Sequence, residues 1–483
     1  MRVDFSGASS SIKSASIAQT GSKIISMVVQ LVITMVLARL LTPEEYGVVA
    51  ILTVAASFFS IFADAGISTA IAQFQDLRQE DYDRLFYLSL LLGIGLSLLY
   101  FLLSFPIAWF YGDAIYIPLG AVMTPAVMFN ALNMVPNGVL IKERKFGLIG
   151  MRLVVCSVVV GTVVILLALA GLGCFAIVLN TVLTSLFVLV WNLASSHLKM
   201  SVGDVRPVAR KVGSFSLYQF GHQVIVWFSS NADSLLVGKM FGSAALGYYN
   251  KAYQLYGYPN TILAAPITST LIPFLAPLQN DLPSLRAKYL SVMSKVSFIC
   301  ALCTVGTSVC SSEIIQILFG DAWAPAAPLL QVLALAIYAR GVNSVQGSLL
   351  SASSRPDLLM RSTLVNTIVT LTMIFVGGLL GSVQSLAVCV VVAYNLELLI
   401  PVYFCSRFCI DTGPWEYFSH LLADILIAVA ALIVCDLIPW GITNVFLSLL
   451  AKAALIVALM LGPRIVWGKL VKDVDKPACA ENR

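Results

Sequence analysis

A few ionisable side chains interrupt long apolar runs, where a charge is costly to place. Arg340 stands between Ala339 and Gly341, with apolar sequence before it. A guanidinium presents a planar fork of donors that fits a phosphate or carboxylate bidentately. Lys251, Arg39 and Lys239 are further cations inside such runs or at their ends. All four are candidates for contact with an anionic ligand. The competing reading is a side chain that snorkels to an interface or neutralises an acid, with Glu397 or Asp64 as partners for Arg340. Asp64, Asp233 and Glu397 are the acids in comparable settings, where a carboxylate can take up a proton or a metal cation. Lys452 is expected to snorkel or to pair with Asp424 or Asp436. His222, alone beside Gly221, reads better as a satisfied buried imidazole than as a proton relay. Cys300 and Cys303 form a CxxC within an apolar run and read as small buried hydrophobes, so no metal site is expected.

The elements that carry these residues are long. The chain has 483 residues, of which 59% are hydrophobic and 11% charged, with mean hydropathy +0.92. A soluble fold cannot hide so much apolar surface, so lipid is its solvent. In hydrocarbon every backbone polar group must be satisfied internally, and runs of about 20 residues without alternation are helices. Fourteen spans are expected, at about 18–41, 46–72, 85–110, 116–140, 147–170, 173–195, 213–240, 246–277, 289–318, 324–350, 360–380, 383–405, 417–438 and 442–463. The fold class is thus an all-α integral membrane protein. The polar stretch Met1–Ser14 carries no cleavage pattern, so no removable signal peptide is expected.

Loop charge orients the spans. All but Arg39, Lys239, Lys251, Arg340 and Lys452 of the 29 basic residues fall on the side that holds both termini, and basic loops stay cytoplasmic. The other loops are neutral or acidic, as in Thr42–Glu45, Gly112–Ile115 and Gly320–Trp323. The net charge of +5 is what remains of this bias and does not indicate nucleic-acid binding. The spacing of Pro259, Pro266 and Pro273 places all three on one face of the eighth span, as hinge candidates.

An internal repeat runs at an offset of 200: Val36–Gly47 lies over Leu236–Gly247, pairing Arg39 with Lys239 and Gly47 with Gly247. A second match, at offset 209, lays Asn137-Gly-Val-Leu over Gln346-Gly-Ser-Leu and Met151-Arg152 over Met360-Arg361. Together they divide the chain into a cytoplasmic segment 1–17, an N-lobe 18–196 (spans 1–6), a basic inter-lobe loop 197–212, a C-lobe 213–406 (spans 7–12), spans 13–14 at 417–463 and a cytoplasmic tail 464–483. Parallel six-span repeats imply a pseudo-twofold axis along the membrane normal, with a site between the lobes.

Ala38-Arg-Leu-Leu-Thr-Pro-Glu-Glu-Tyr-Gly47 and Phe62-Ala-Asp-Ala-Gly66 resemble the opening two spans of polysaccharide flippases of the multidrug/oligosaccharidyl-lipid/polysaccharide superfamily. Asn231–Lys239, Ala245–Tyr253 and Pro273–Asp281 are similar to that family's seventh span, eighth span and following inner loop. Within it, the chain looks closest to the colanic-acid and teichuronic-acid export branch. The resemblance implies two six-helix bundles around a central cavity. It implies transfer of undecaprenyl-diphosphate-linked glycan units between leaflets of a bacterial inner membrane, for capsule, exopolysaccharide or wall polysaccharide. The expected partners are that polyprenyl-diphosphate-linked oligosaccharide, membrane lipid, and a glycan polymerase or glycosyltransferases; the protein is expected as a monomer. No cofactor is expected, with H+ or Na+ as candidate coupling ions.

A lipid II flippase or a drug antiporter of the same superfamily is an alternative; an antiporter usually has twelve spans. A membrane glycosyltransferase or polymerase would need catalytic groups on a substantial outer loop, and these loops are a few residues long. An ATP-driven exporter would need a phosphate loop, and no G-x-x-x-x-G-K-[ST] occurs. The chain is not expected to be an enzyme.

Overall fold

The computed structural model describes residues 5–474 apart from 65–66, 75, 197, 200–205, 280 and 354; over 5–20, 63–64, 69, 72, 206–219, 263–270, 273, 356 and 466–474 the description is of the backbone. Among the described residues every regular element is a helix. The chain forms two compact units, Met1–Asn250 and Lys251–Arg483.

The first unit holds α1 (Phe5–Leu40), α2 (Pro43–Asp64), α3 (Ile67–Gln73), α4 (Gln79–Tyr111), α5 (Tyr116–Lys142), α6 (Phe146–Leu169), α7 (Cys174–Ser196), α8 (Arg206–Phe241) and the start of α9 (Ser243–Leu275). Helix α5 is its centre, packed on α2, α3, α4 and α7, while α1 lies along α6. Close approach of α4 and α5 needs a missing side chain: a Cβ on Gly120 would lie 2.6 Å from Ser104 Cβ. Two apolar clusters fill this unit, one around Ile71, Leu85, Phe86 and Val135, the other around Leu37, Val160, Val164 and Ala176.

The turn from α1 to α2 is written in Thr42-Pro-Glu-Glu. Thr42 Oγ1 accepts from Glu45 N at 3.3 Å, and Glu45 Oε2 accepts from Thr42 N at 2.8 Å. That is a capping box with proline at the first helical position, contributing about 1 kcal/mol to starting α2 where it does. The repeat-related turn, from α8 to α9, lies against it. A Cβ on Gly47 would overlap the Ser243 carbonyl, and a Cβ on Gly247 would overlap the Pro43 carbonyl. Pro43 and Ser243, like the two glycines, differ by 200. A residue pair in which i meets j′ while j meets i′ is the mark of a twofold contact.

The second unit holds the rest of α9, then α10 (Leu282–Val309), α11 (Ser311–Phe319), α12 (Ala326–Ala334), α13 (Ile337–Ala352), α14 (Pro356–Leu379), α15 (Val383–Glu397), α16 (Leu399–Phe404), α17 (Pro414–Leu437) and α18 (Val445–Val474). Helix α10 is central, contacting α12, α13, α17 and α18. Its start is set by Asp281, whose side chain accepts from Ser284 N. One turn of wider helix, Cys405–Cys409, links α16 to the strand-free bend before α17.

Among the described residues eleven helices are long and apolar enough to cross a membrane, or twelve if α12 and α13 form one bent span. Large apolar side chains face outward along them, including Leu98, Leu99, Trp109, Leu166, Leu379 and Leu437. With no water to hydrogen-bond in the bilayer core, helices wearing an apolar belt are the structure that spans it. This is a multi-pass membrane protein. Helices α8 and α9, of 36 and 33 residues, are also long enough to span, with side chains described only in part.

The tenth expected span differs from a straight helix. It bends by 41° between α12 and α13. Neither proline nor glycine occurs at Leu335–Ala336. Instead the turn tightens, with Leu335 N bonded to Val332 O and Ala336 N to Leu333 O. The Leu335 carbonyl freed there lies 3.5 Å from Asn395 Nδ2, which donates at 2.8 Å to Val391 O of its own helix.

Spans 13 and 14, read from sequence as an added pair, are joined to α10 and α11 by charge. Lys452 Nζ lies 2.5 Å from Glu313 Oε1, which also accepts from Ser448 Oγ at 2.6 Å. The expected partners Asp424 and Asp436 are replaced by an acid on α11, because α18 runs along that helix. Asp424 is fully buried and pairs instead with Arg464, at 2.5 Å, while Ser297 Oγ donates to its other oxygen at 2.7 Å. Arg464, expected in the tail, is thus within α18.

Candidate functional site

Helix α13 carries Arg340, Asn343, Ser344 and Gly347 at the spacing of one helical face. Helix α14 carries Ser362, Thr363 and Asn366 in the same way. These two faces, with Glu397 at the end of α15 and Pro401 on α16, line a cavity of about 290 Å³ within the second unit. A small-residue stripe lets the helices approach: Gly341, beside Arg340, lies against Cys300 of α10, where a Cβ would overlap its sulfur. Cys300 therefore acts as packing.

Arg340 is exposed, and its guanidinium sits 4.6 Å from the centroid of the Tyr394 ring. Tyr394 is itself held by Tyr253, hydroxyl to hydroxyl at 3.1 Å. A cation over an aromatic ring is attracted to it without consuming its N–H donors. No carboxylate among the described residues forms an ion pair with Arg340. Glu397 shares the cavity but is buried and accepts a hydrogen bond from Thr370 Oγ1. Asn343 Oδ1 and Asn366 Oδ1 have no hydrogen-bond partner among the described residues. The cavity therefore holds a cation with free donors, an acid, and acceptors with nothing to accept from. Chemically, the Arg340 end suits an oxyanion, and the Glu397–Asn366 end suits a proton or a small cation.

Arg340 and Glu397 are the expected residues that the structure brings together. Asp233 is buried elsewhere, on α8, accepting from Tyr249 Oη and Ser234 N, each at 2.7 Å. Lys251 is also buried, with its ammonium 5.7 Å from the Phe319 ring centroid. Lys239 donates to the Phe110 carbonyl and lies over that ring at 4.2 Å. It and Arg39 are exposed cations in the last turns of α8 and α1, where the helix dipole favours positive charge. Asp64 ends α2, with its side chain outside the described residues. Helix α9 runs unbroken through Pro259, Pro266 and Pro273; the side chains of Pro266 and Pro273 also fall outside them.

Sequence reading missed a second kind of residue. Arg152, counted with the inner loops, is 7% exposed inside α6. Its Nη1 donates to Asn192 Oδ1 at 2.6 Å and approaches Asn137 Oδ1 at 3.4 Å; Asn192 in turn donates to Asn133 Oδ1 at 2.7 Å. Its Nε has no hydrogen-bond partner among the described residues. The signal available was the register: Asn133 and Asn137 are one turn apart on α5.

Residues 36–328 match the family described as "Polysaccharide biosynthesis protein". The chain belongs to this family. Among relatives, it is 25% identical to "Lipopolysaccharide biosynthesis protein WzxC" of Escherichia coli (strain K12), over 83% of this chain and 82% of that one. It is 25% identical to "Teichuronic acid biosynthesis protein TuaB" of Bacillus subtilis (strain 168), over 72% and 75% respectively. Among solved structures, a lipid II flippase MurJ in an inward closed conformation superposes with TM-score 0.74 at 13% identity, covering 94% of this chain and all of that one. That last likeness shows the fold alone.

Proposed function

We propose that this protein is a flippase that carries polyprenyl-diphosphate-linked glycan units from the inner to the outer leaflet by alternating access. Relatives named for lipopolysaccharide and teichuronic acid biosynthesis support the substrate class. The observation that carries the reading is Arg340: an exposed guanidinium over the Tyr394 ring, with no ion pair among the described residues, in a polar cavity of a membrane protein. A sugar-diphosphate head must cross about 30 Å of hydrocarbon, and burying its charge unaided costs several kcal/mol even after relaxation. A cationic cavity lowers that cost, and the lipid tail can stay in the bilayer.

On this reading the chain has fourteen spans: the eleven apolar helices, the bent α12–α13 pair, α8 and α9. They form two six-span halves, at 18–196 and 213–406, plus the C-terminal pair, with both termini cytoplasmic in a bacterial inner membrane. The reciprocal contacts of Gly47 and Gly247 support the repeat. Glu397, with Asn366 and Thr370, is the coupling group, taking a proton or Na+. The protein does no covalent chemistry on its cargo; a polymerase or ligase uses it after transfer.

The test is complementation of strains each lacking one defined glycan flippase. Restored glycan export with the wild-type chain, abolished by Arg340→Ala at unchanged membrane level, supports the reading. Full activity of Arg340→Ala overturns the role of Arg340. Restoration only of peptidoglycan synthesis, or only of drug resistance, would turn the assignment to lipid II or to drug antiport.

A further inference from the structure

A second recess, of about 250 Å³, lies within the first unit between α1, α6 and α7. Its position is deep. Gln30 is midway along the apolar stretch Gly21–Leu40, Ser157 is midway along Phe146–Leu169, and Asn180, Thr181 and Thr184 lie in the first half of Cys174–Ser196. All three helices are long and apolar enough to span, so these side chains stand at hydrocarbon depth. No charged residue lines the recess.

The polar groups there are unequal. Ser157 Oγ and Ser185 Oγ donate to carbonyls of their own helices, at 2.8 and 2.9 Å, a habit of membrane serines. Gln30 is exposed and Asn180 half-buried, and neither carboxamide has a hydrogen-bond partner among the described residues. Both therefore keep their donors and acceptors open to whatever occupies the recess. At hydrocarbon depth, two such groups from separate helices favour a polar occupant over an apolar one.

The lining limits what that can be. A diphosphate or an ion finds no counter-charge, and an isoprenoid tail finds amides. Each carboxamide offers two donors and an acceptor with two lone pairs. A pair of them, with threonine and serine hydroxyls alongside, matches the alternating donors and acceptors of neighbouring ring hydroxyls. The volume is below the usual range for drug-sized ligands, which suits one sugar ring and not a whole oligosaccharide.

We propose that this recess is a glycan subsite that holds one uncharged, hydroxyl-rich sugar of the cargo, through Gln30 and Asn180. It rests on the reading of the chain as a lipid-linked glycan flippase, and it adds a division of work: charge is handled at Arg340, and sugar at the neutral recess. The competing occupant is water alone.

The full chain in nanodiscs is tested with two kinds of probe: bare polyprenyl diphosphate, and the same lipid bearing one glucosyl, galactosyl or N-acetylglucosaminyl unit. Gln30→Leu and Asn180→Leu are each expected to weaken binding of at least one glycosylated probe about tenfold, the loss of one or two hydrogen bonds, and to leave the bare lipid unchanged. Thr184→Val keeps shape and is expected to give a smaller loss of the same selectivity. Equal loss for bare and glycosylated lipid overturns the proposal, as does no loss for any probe, which is the outcome for a recess holding only water. So does a wild-type chain that binds every glycosylated probe no tighter than the bare one. Arg340→Ala separates the two readings. It should weaken all probes alike; if it leaves all unchanged while the carboxamide variants act, the anion site fails and the sugar subsite stands.

Discussion

The two units solve the same problem, polarity at membrane depth, in opposite ways. The first lines its recess with amides and hydroxyls and satisfies the buried charges described in it, Arg152 and Asp233, with asparagines, a tyrosine hydroxyl and a backbone amide. The second uses full charges: Arg340 and Glu397 in one cavity, Lys452 on Glu313, Arg464 on Asp424. Neutral groups solvate a ligand without selecting its charge, whereas fixed charges select sign and can be switched by a proton or an ion. The difference, among the described residues, is therefore between buried charges satisfied by neutral dipoles in the first unit and buried charges met by counter-ions in the second.

The comparison can be broken at several points. Asp424→Ala strands Arg464 against a buried face and is expected to cost about 3–5 kcal/mol, read as loss of folded protein in detergent thermal melts; adding Arg464→Leu should recover most of it. No loss on Asp424→Ala would mean the charges of the second unit are not structural. Arg340→Gln should lower transport about a hundredfold, roughly 2.7 kcal/mol of lost anion stabilisation. Combining it with Gln30→Arg should not restore transport; rescue by a charge moved to the first unit would erase the distinction between the recesses. Asn192→Leu removes an acceptor from Arg152 and should cost about 1.5–3 kcal/mol of stability, less than Asp424→Ala, because a neutral acceptor is lost in place of a counter-ion. Glu397→Gln should leave binding of bare polyprenyl diphosphate intact and reduce gradient-driven transport in proteoliposomes about tenfold, around 1.4 kcal/mol. Unchanged gradient response would remove Glu397 as the coupling group.

Much of the fold was legible because lipid imposes a simple rule on backbone polarity. Apolar runs gave the helices, and charges that interrupt them gave Arg340 and Glu397, since a charge in hydrocarbon is conspicuous in any sequence. Asn343, Asn366 and Thr370 were not found. Uncharged polar residues are common in membrane helices, and what matters is the face they occupy. Lys452 was noticed but its partner was not, because Glu313 is brought to it by helix packing and not by sequence distance. Arg152 looked like an ordinary loop base, and only the fold shows it drawn inside among asparagines. The bend before Arg340 lacks the residues that normally announce one; what marks it is the tightened turn at Leu335–Ala336, which only the backbone hydrogen bonds reveal.

The paired glycines carry a historical consequence. Gly47 meets Ser243, and Gly247 meets Pro43, so each turn touches the other through the same two positions. A contact that reads identically from both sides needs only one set of residues to encode it. A half-length ancestor bearing a single such turn would already have held the surface with which to bind a second copy of itself. Fusion of two genes would then have preserved a dimer interface as an intramolecular joint. Because each glycine faces the other turn's backbone, either one could have drifted to alanine only with a matching shift in its counterpart.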